Sequence, residues 1–159
     1  MSDEGRRAIV GISRDDLGAD VRLGEEPPMT VRPERRDVLL VAADLNERRL
    51  LFAELLEAGY DVMPMPGMAL ALGAVLQGSV EPRLVLLDVR GDEHATPKSV
   101  EHLMTLISGV PLILVVGSID RSLWKPMQPR VAAMLARPIT IGKIVETVKQ
   151  TLPLPNRNS

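Results

Sequence analysis

The chain has 159 residues, 45% of them apolar and 25% charged, with a net charge of −2 and a pI near 5.7. That is the make-up of one soluble globular domain with some chain to spare. It shows no basic footprint for nucleic acid, and no cysteine for a disulfide, a thiolate metal site or a thiol nucleophile. No apolar stretch reaches the ~18–20 residues that a bilayer-crossing helix needs. The opening Met1-Ser2-Asp3-Glu4-Gly5 lacks the basic-then-apolar plan of a signal peptide. A cytoplasmic location is therefore expected, with no membrane and no nucleic-acid partner.

Residues 1–36 are rich in Gly, Pro, Arg and acids, and only Ala8–Ile12 and Val21–Leu23 look strand-like. They read as an N-terminal extension, weakly ordered or holding a short hairpin, with Glu25-Glu26-Pro27-Pro28 as a linker. The domain proper is expected over residues 37–152, followed by a tail at 153–159. Val38-Leu39-Leu40-Val41 is a buried strand. Asp44 caps a following helix, with Glu47 as its capping-box partner three residues on. Leu51, Leu55 and Ala58 give that helix one apolar face, widened by Phe52 and Leu56, and Gly59 stops it.

Tyr60–Met63 reads as a second strand and Gly67–Gln77 as a small-residue helix ended by Gly78-Ser79. Leu84-Val85-Leu86-Leu87-Asp88, after Pro82-Arg83, is a third strand, its four aliphatics in a row implying burial on both faces. Thr96-Pro97 opens a helix carrying Val100, Leu103, Met104 and Ile107 at i, i+3, i+4 and i+7. Pro111–Val116 is a fourth strand. The stretch Ile119–Pro129, broken by Pro126, allows only a short helix. Val131–Leu135 is a fifth strand, and Thr140 caps a last helix striped by Ile141, Ile144, Val145, Val148 and Leu152.

Strands alternating with helices predict an α/β domain, a (βα)5 unit whose right-handed crossovers put helices on both faces of a parallel sheet. A buried strand ending in a carboxylate presents it at the C-terminal edge of such a sheet, where open α/β folds place their chemistry. Asp88 is therefore the first candidate for a functional residue.

At this point the residues resemble the receiver domains of two-component response regulators, over roughly Asp37 to Leu152. Val38–Val41 sits where that family has its first strand. Gly59-Tyr60-Asp61-Val62 matches its entry to the second strand and Ala71-Leu72 a pair in its second helix. Leu84–Asp88 matches the strand that ends in the phosphoacceptor aspartate, Val110-Pro111-Leu112-Ile113 the start of the fourth strand, and Arg137-Pro138 the lysine-proline pair. The resemblance implies a flavodoxin-like, doubly wound parallel sheet with strand order 2-1-3-4-5.

It also implies a chemistry: a phosphoryl group passes from a phosphohistidine to the aspartate, with Mg²⁺ and nearby cations neutralising the developing charge. Here the acidic pair that would hold the metal falls on Ala42 and Ala43, whose methyl groups offer no oxygen. A one-residue shift would place Asp44 as the second acid; counting back from Gly59 favours no shift and leaves Asp44 as a cap. The hydroxyl position is Val116, with Ser118 two residues on. The lysine is Arg137, and the aromatic switch residue of the fifth strand is Met134. Arg137 or Arg90 could pair with Asp88 and hold it ionised without metal. The expectation is a degenerate receiver, not an enzyme, with no cofactor and with Mg²⁺ binding lost, working as a phosphorylation-independent interaction module. The alternative is a phosphoacceptor still charged on Asp88.

By the same resemblance the surface of the fourth helix, fifth strand and fifth helix is expected to meet a protein partner, with Trp124 and Met134 as interface residues and a homodimer left open. Trp124 reads equally as packing over the sheet edge. His94 and His102 are too far apart for a metal pair on one helix turn. Met63, Met65 and Met68 fill the top of the core or form a soft contact patch. A small-ligand site in the strand-end crevice is a third reading. No Gly-rich phosphate loop follows a strand, and no Ser-His-Asp set suggests a hydrolase.

Overall fold

The computed structural model describes residues 34–155. The extension expected over residues 1–36 falls almost wholly outside them, as does most of the tail at 153–159. Five parallel strands, β1 (Glu34–Ala42), β2 (Val62–Met65), β3 (Val80–Asp88), β4 (Leu112–Val116) and β5 (Ala133–Ala136), lie in the order β2-β1-β3-β4-β5. The expected flavodoxin-like, doubly wound fold is therefore present.

The sheet is the reason the strand sequences read as continuous aliphatic runs. Leu39, Val41, Val85, Leu87, Leu112, Leu114 and Val116 face one core, while Val38, Leu40, Leu84, Leu86, Ile113 and Val115 face the other. With period-2 alternation and helices on both sides, every position must be apolar. Each such side chain, fully buried, contributes about 1.5–3 kcal/mol of transfer free energy.

The first core is closed by α2 (Met68–Leu76), α3 (Pro97–Leu106) and the segment between β4 and β5; the second by α1 (Leu45–Glu57) and α5 (Ile141–Thr151). In α1, Leu51 and Leu55 are buried, whereas Leu56, expected to widen the apolar face, stands 48% exposed. Gly59 ends the helix at φ +100, and an added Cβ would meet Leu154 Cδ1 at 3.2 Å. Thr96 and Ser99 form a reciprocal capping box at the start of α3, and the Thr140 hydroxyl caps α5 by accepting Lys143 N–H at 3.1 Å. The chain from Ser118 to Arg130 is a 3₁₀ turn, the single-turn helix α4 (Arg121–Trp124) and a second 3₁₀ stretch.

Several boundaries differ from the sequence reading. β1 starts at Glu34 because Glu34–Arg36 pair with Val80–Pro82, beyond the part of β3 that β4 reaches. Among the described residues β3 has one neighbour at that overhang, so Pro82, with no N–H to give, is tolerated. β2 begins at Val62 rather than Tyr60. The Tyr60 N–H instead donates to Leu55 O at 3.0 Å and its hydroxyl to Leu152 O at 2.7 Å, tying α1 to the end of α5. Among the described residues no helix is long and apolar enough to cross a membrane.

Candidate functional site

The parallel register brings Ala42, Asp88 and Val115 side by side at the C-terminal edge of the sheet. Asp88 is 2% exposed. Ala42 ends β1, Ala43 follows, and Asp44 is the N-cap of α1, its carboxylate accepting Glu47 N–H at 2.9 Å. The two positions nearest Asp88 on β1 and its loop therefore carry methyl groups.

Glu47 departs from its expected role. Only half of the capping box forms, because the Glu47 side chain turns over the sheet edge to Arg137 and Arg90 instead of back to Asp44. Nη2 of Arg137 donates both to Glu47 Oε2 and to Asp88 Oδ2. The Arg90 N–H donates to Asp88 Oδ1 at 3.0 Å, while its guanidinium goes to Glu47 Oε1 at 3.1 Å and lies 3.8 Å from Asp44. Arg137 and Arg90 both reach Asp88, one by its side chain and one by its backbone. Sequence reasoning missed Glu47 because its position three residues after a cap has a sufficient local explanation. The signal was that it lies one turn past β1, on the loop side of the sheet.

The cluster is nearly dry: the side chains of Arg137, Glu47 and Asp88 are 15%, 13% and 2% exposed. Burial pushes the Asp88 carboxyl above the ordinary aspartate range, and the Arg90 N–H and the Arg137 guanidinium offset only part of that. Burial works against the charge on Arg137 as well. Its hydrogen bonds to Glu47 and Asp88 outweigh that, so it is held protonated even more firmly than usual. Arg137 Nε is buried without a hydrogen-bond partner.

A Mg²⁺ ion, which the resemblance implies, needs about six oxygens in a near-octahedral set. The residues present do not fit it. Ala42 and Ala43 supply no side-chain oxygen, and Asp88 and Glu47 share one guanidinium. Arg48 Nη1 takes the carbonyls of Ala42 and Ala43 at 2.7 and 3.4 Å. Among the described residues no group of three or more His, Asp or Glu is arranged to hold a metal ion, and His94 and His102 are separate and exposed.

The other expected site residues separate. Val116 is fully buried and Met134 half-buried against the first core. Ser118 starts the 3₁₀ turn beyond β4. Met63 and Met65 pack against the same core and Met68 lies within it. Trp124 is corrected most clearly: it is 2% exposed inside the first core, so its ring has almost no area to offer a partner. Its neighbours take the surface instead, Ile119 at 90% and Leu123 at 57% exposed. A crevice of about 390 Å³ lies between the loops after β1, β2 and β3, lined by Ala43, Gly67, Leu70, Gly91 and Asp92 among others, but not by Asp88. The Asp92 carboxylate on its wall is already engaged, accepting from Met68 N–H at 2.7 Å and His94 N–H at 3.1 Å. The Met68 bond caps α2, whose own N-cap, Gly67, has no side chain to do so.

No protein-family model matches the sequence, and no curated protein does. Solved structures do match. The receiver domain of NtrX from Brucella abortus aligns at TM-score 0.62 and 18% identity, over 75% of this chain and 100% of that one. A CheY-like receiver domain protein from Methanospirillum hungatei JF-1 aligns at 0.62 and 20%, over 76% and 94%. The chemotaxis response regulator CheY4 of Vibrio cholerae aligns at 0.61 and 16%, over 76% and 99%. With the strand order and the placement of Asp88, these alignments establish that residues 34–155 have the fold of response-regulator receiver domains.

Proposed function

We propose that this domain is a degenerate receiver, a cytoplasmic signalling module that binds a protein partner without being phosphorylated. One observation carries the reading: a single guanidinium, Arg137, bridges Asp88 and Glu47 where a working receiver would hold a metal and a phosphoryl group. Nucleophilic attack needs a carboxylate oxygen with a free lone pair facing the donor. Asp88 is 2% exposed, with Oδ1 on the Arg90 N–H and Oδ2 on Arg137. Mg²⁺ binding is lost in this reading, and the domain is not an enzyme. The signalling couplers are replaced by Val116 and Met134, so a ligand at Asp88 would make little differential contact with two states and shift little population.

The partner surface is the face of α4, β5 and α5. Its apolar anchors are Ile119 and Leu123 rather than Trp124, because only the first two present area to solvent. Incubation of the protein with a small acyl-phosphate donor and Mg²⁺ should leave its intact mass unchanged. Asp88→Asn should leave partner binding unchanged, and Ile119→Lys should weaken it by about tenfold or more. A phosphoryl adduct that vanishes in Asp88→Asn would reject this reading and install the phosphoacceptor alternative.

A further inference from the structure

From Arg121 to Val145 the chain carries Arg121, Lys125, Arg130, Arg137 and Lys143 and no Asp or Glu, although its net charge is −2. Three of these cations are engaged: Arg137 in the cluster at Asp88, Arg130 with Glu101 of α3 at 2.6 Å, and Lys143 at 3.9 Å from Glu146. Arg121 and Lys125 are exposed and form no salt bridge among the described residues. Beside them stand Leu123, 57% exposed, and Ile119, which at 90% is the most exposed large apolar side chain among the described residues. The same short stretch holds Trp124 and Met127, 2% and 4% exposed inside the first core. Two buried side chains thus pin the inner side of a path whose outer side offers two aliphatic groups and two free cations. A surface held from beneath in this way loses little freedom when something binds to it.

We propose that this surface takes an acidic segment of another protein, with apolar side chains on Ile119 and Leu123 and carboxylates on Arg121 and Lys125. The proposal rests on the functional reading above and supplies the chemistry of its partner. Charge selects the occupant. A second copy of this chain, meeting on the same face, would set Arg121 and Lys125 against their own kind, and like charges brought together oppose association. A nucleic acid is held by many phosphate contacts, and an anionic bilayer by clusters of about four to eight Lys or Arg. Two free cations beside two aliphatic side chains suit neither. An acidic, partly apolar segment answers both halves of the surface: the aliphatics leave water, and the cations gain partners that the described residues do not give them. Area sets the strength. A contact built on one turn of helix stays below about 1,200 Å² in total, so the complex is weak, exchanging and sensitive to salt.

Three synthetic helical peptides test it, equal in length and in leucine spacing, with Glu, Gln or Lys at every other position. Each is titrated into the full chain, labelled with nitrogen-15, and followed by amide NMR. The Glu peptide should shift the amides of Ile119–Lys125, the Gln peptide should bind about tenfold or more weakly, and the Lys peptide should leave the spectrum unchanged. Raising the salt from about 50 mM to about 500 mM should weaken the Glu peptide by about tenfold or more. The double variant Arg121→Glu with Lys125→Glu, at exposed positions, should keep its circular dichroism spectrum and exchange the preference, taking the Lys peptide in place of the Glu peptide. No response to the Glu peptide, equal response to all three, or an unchanged preference in the double variant overturns the proposal. So does binding of the chain to vesicles of phosphatidylserine and phosphatidylcholine that Arg121→Glu with Lys125→Glu abolishes, which assigns the surface to a membrane. Loss of Gln-peptide binding in Ile119→Ser with no preference for the Glu peptide removes the acidic partner and leaves the partner surface standing. A phosphoryl adduct on Asp88 removes the functional reading instead and leaves these titrations unchanged.

Discussion

The two edges of the same sheet carry similar inventories of Arg, Asp and Glu and put them to opposite uses. At the N-terminal edge, Arg36–Asp61, Arg83–Asp37 and Arg35–Glu81 lie 3.0, 3.2 and 3.3 Å apart, and each pair has at least one side chain more than half exposed. At the C-terminal edge Asp88, Glu47 and Arg137 are nearly sealed. An exposed pair holds charges that water would solvate almost as well, so each is worth at most about 1 kcal/mol. A sealed pair has given up hydration on both sides, and removing one partner strands the other, at about 3–5 kcal/mol. Edge position alone does not produce the difference. At the C-terminal edge the loops and the start of α1 close over the strand ends, whereas at the N-terminal edge β1 and β3 run past β4 with the side chains of Arg35, Glu81 and Arg83 exposed.

The sharpest way to break this comparison is Arg137→Met. It leaves Asp88 and Glu47 facing each other with only Arg90 to compensate, and should cost about 3 kcal/mol at pH 7 by urea denaturation. Acid should restore part of that loss. Without the guanidinium the Asp88 carboxyl is pushed higher still, so the folded state takes up a proton that the unfolded chain does not hold at the same pH. A loss below about 1 kcal/mol would mean that the cluster is wet and behaves like the N-terminal edge. Replacing all three charges together, Arg137→Met with Asp88→Asn and Glu47→Gln, should recover most of the stability, since no group is then left ionised and alone.

Sequence reasoning reached the buried lattice of the domain and stopped at its charged rim. Leu84–Leu87 and Leu112–Val116 were legible because burial on both faces leaves an unbroken aliphatic signature. Asp88 was legible because it ends one of those runs. Glu34–Arg36 were not, because three charged residues in a row carry no aliphatic signature and read as linker. Glu47 was hidden by its own neighbourhood: Asp44 three residues before it gave a complete local account, while Arg137 lies 90 residues away. Trp124 was ambiguous for another reason. A single turn bounded by 3₁₀ segments has too little periodicity to show which side faces inward, and the structure buries the ring while exposing Ile119.

Asp88→Asn is a smaller perturbation and sharpens the comparison by its sign. The folded pKa of Asp88 lies above its unfolded value. Its stabilising contribution is therefore complete below the unfolded pKa and lost as pH rises through the folded one. Asparagine keeps an oxygen for the Arg90 N–H and does not titrate. The variant should be at least as stable as wild type at pH 7.5, with wild type gaining on it as pH falls toward about 4. Denaturation curves of both proteins across that range decide it. If wild type instead loses ground on acidification, pairing with Arg137 outweighs burial, and Asp88 belongs with the ordinary stabilising carboxylates.

The smallest effects belong to the N-terminal edge, where two substitutions grade exposure against worth. Arg83 reaches Asp37 at 3.2 Å, and Asp37 is 15% exposed and also accepts the Asp61 N–H at 2.9 Å. Arg83→Ala therefore leaves a half-satisfied, partly covered carboxylate and should cost about 0.5–1 kcal/mol, shrinking in high salt as the surviving charges are screened. Arg35 is 86% exposed and its partner Glu81 is 55% exposed. Both can return to water, and holding two long side chains in one geometry costs entropy comparable to the attraction. Arg35→Ala should thus be indistinguishable from wild type in midpoint and slope of urea denaturation, in low salt and in high. A clear loss from Arg35→Ala, as large as that from Arg83→Ala, would show that the Arg35 and Glu81 side chains are covered in solution. The contrast between the two edges would then rest on something other than exposure.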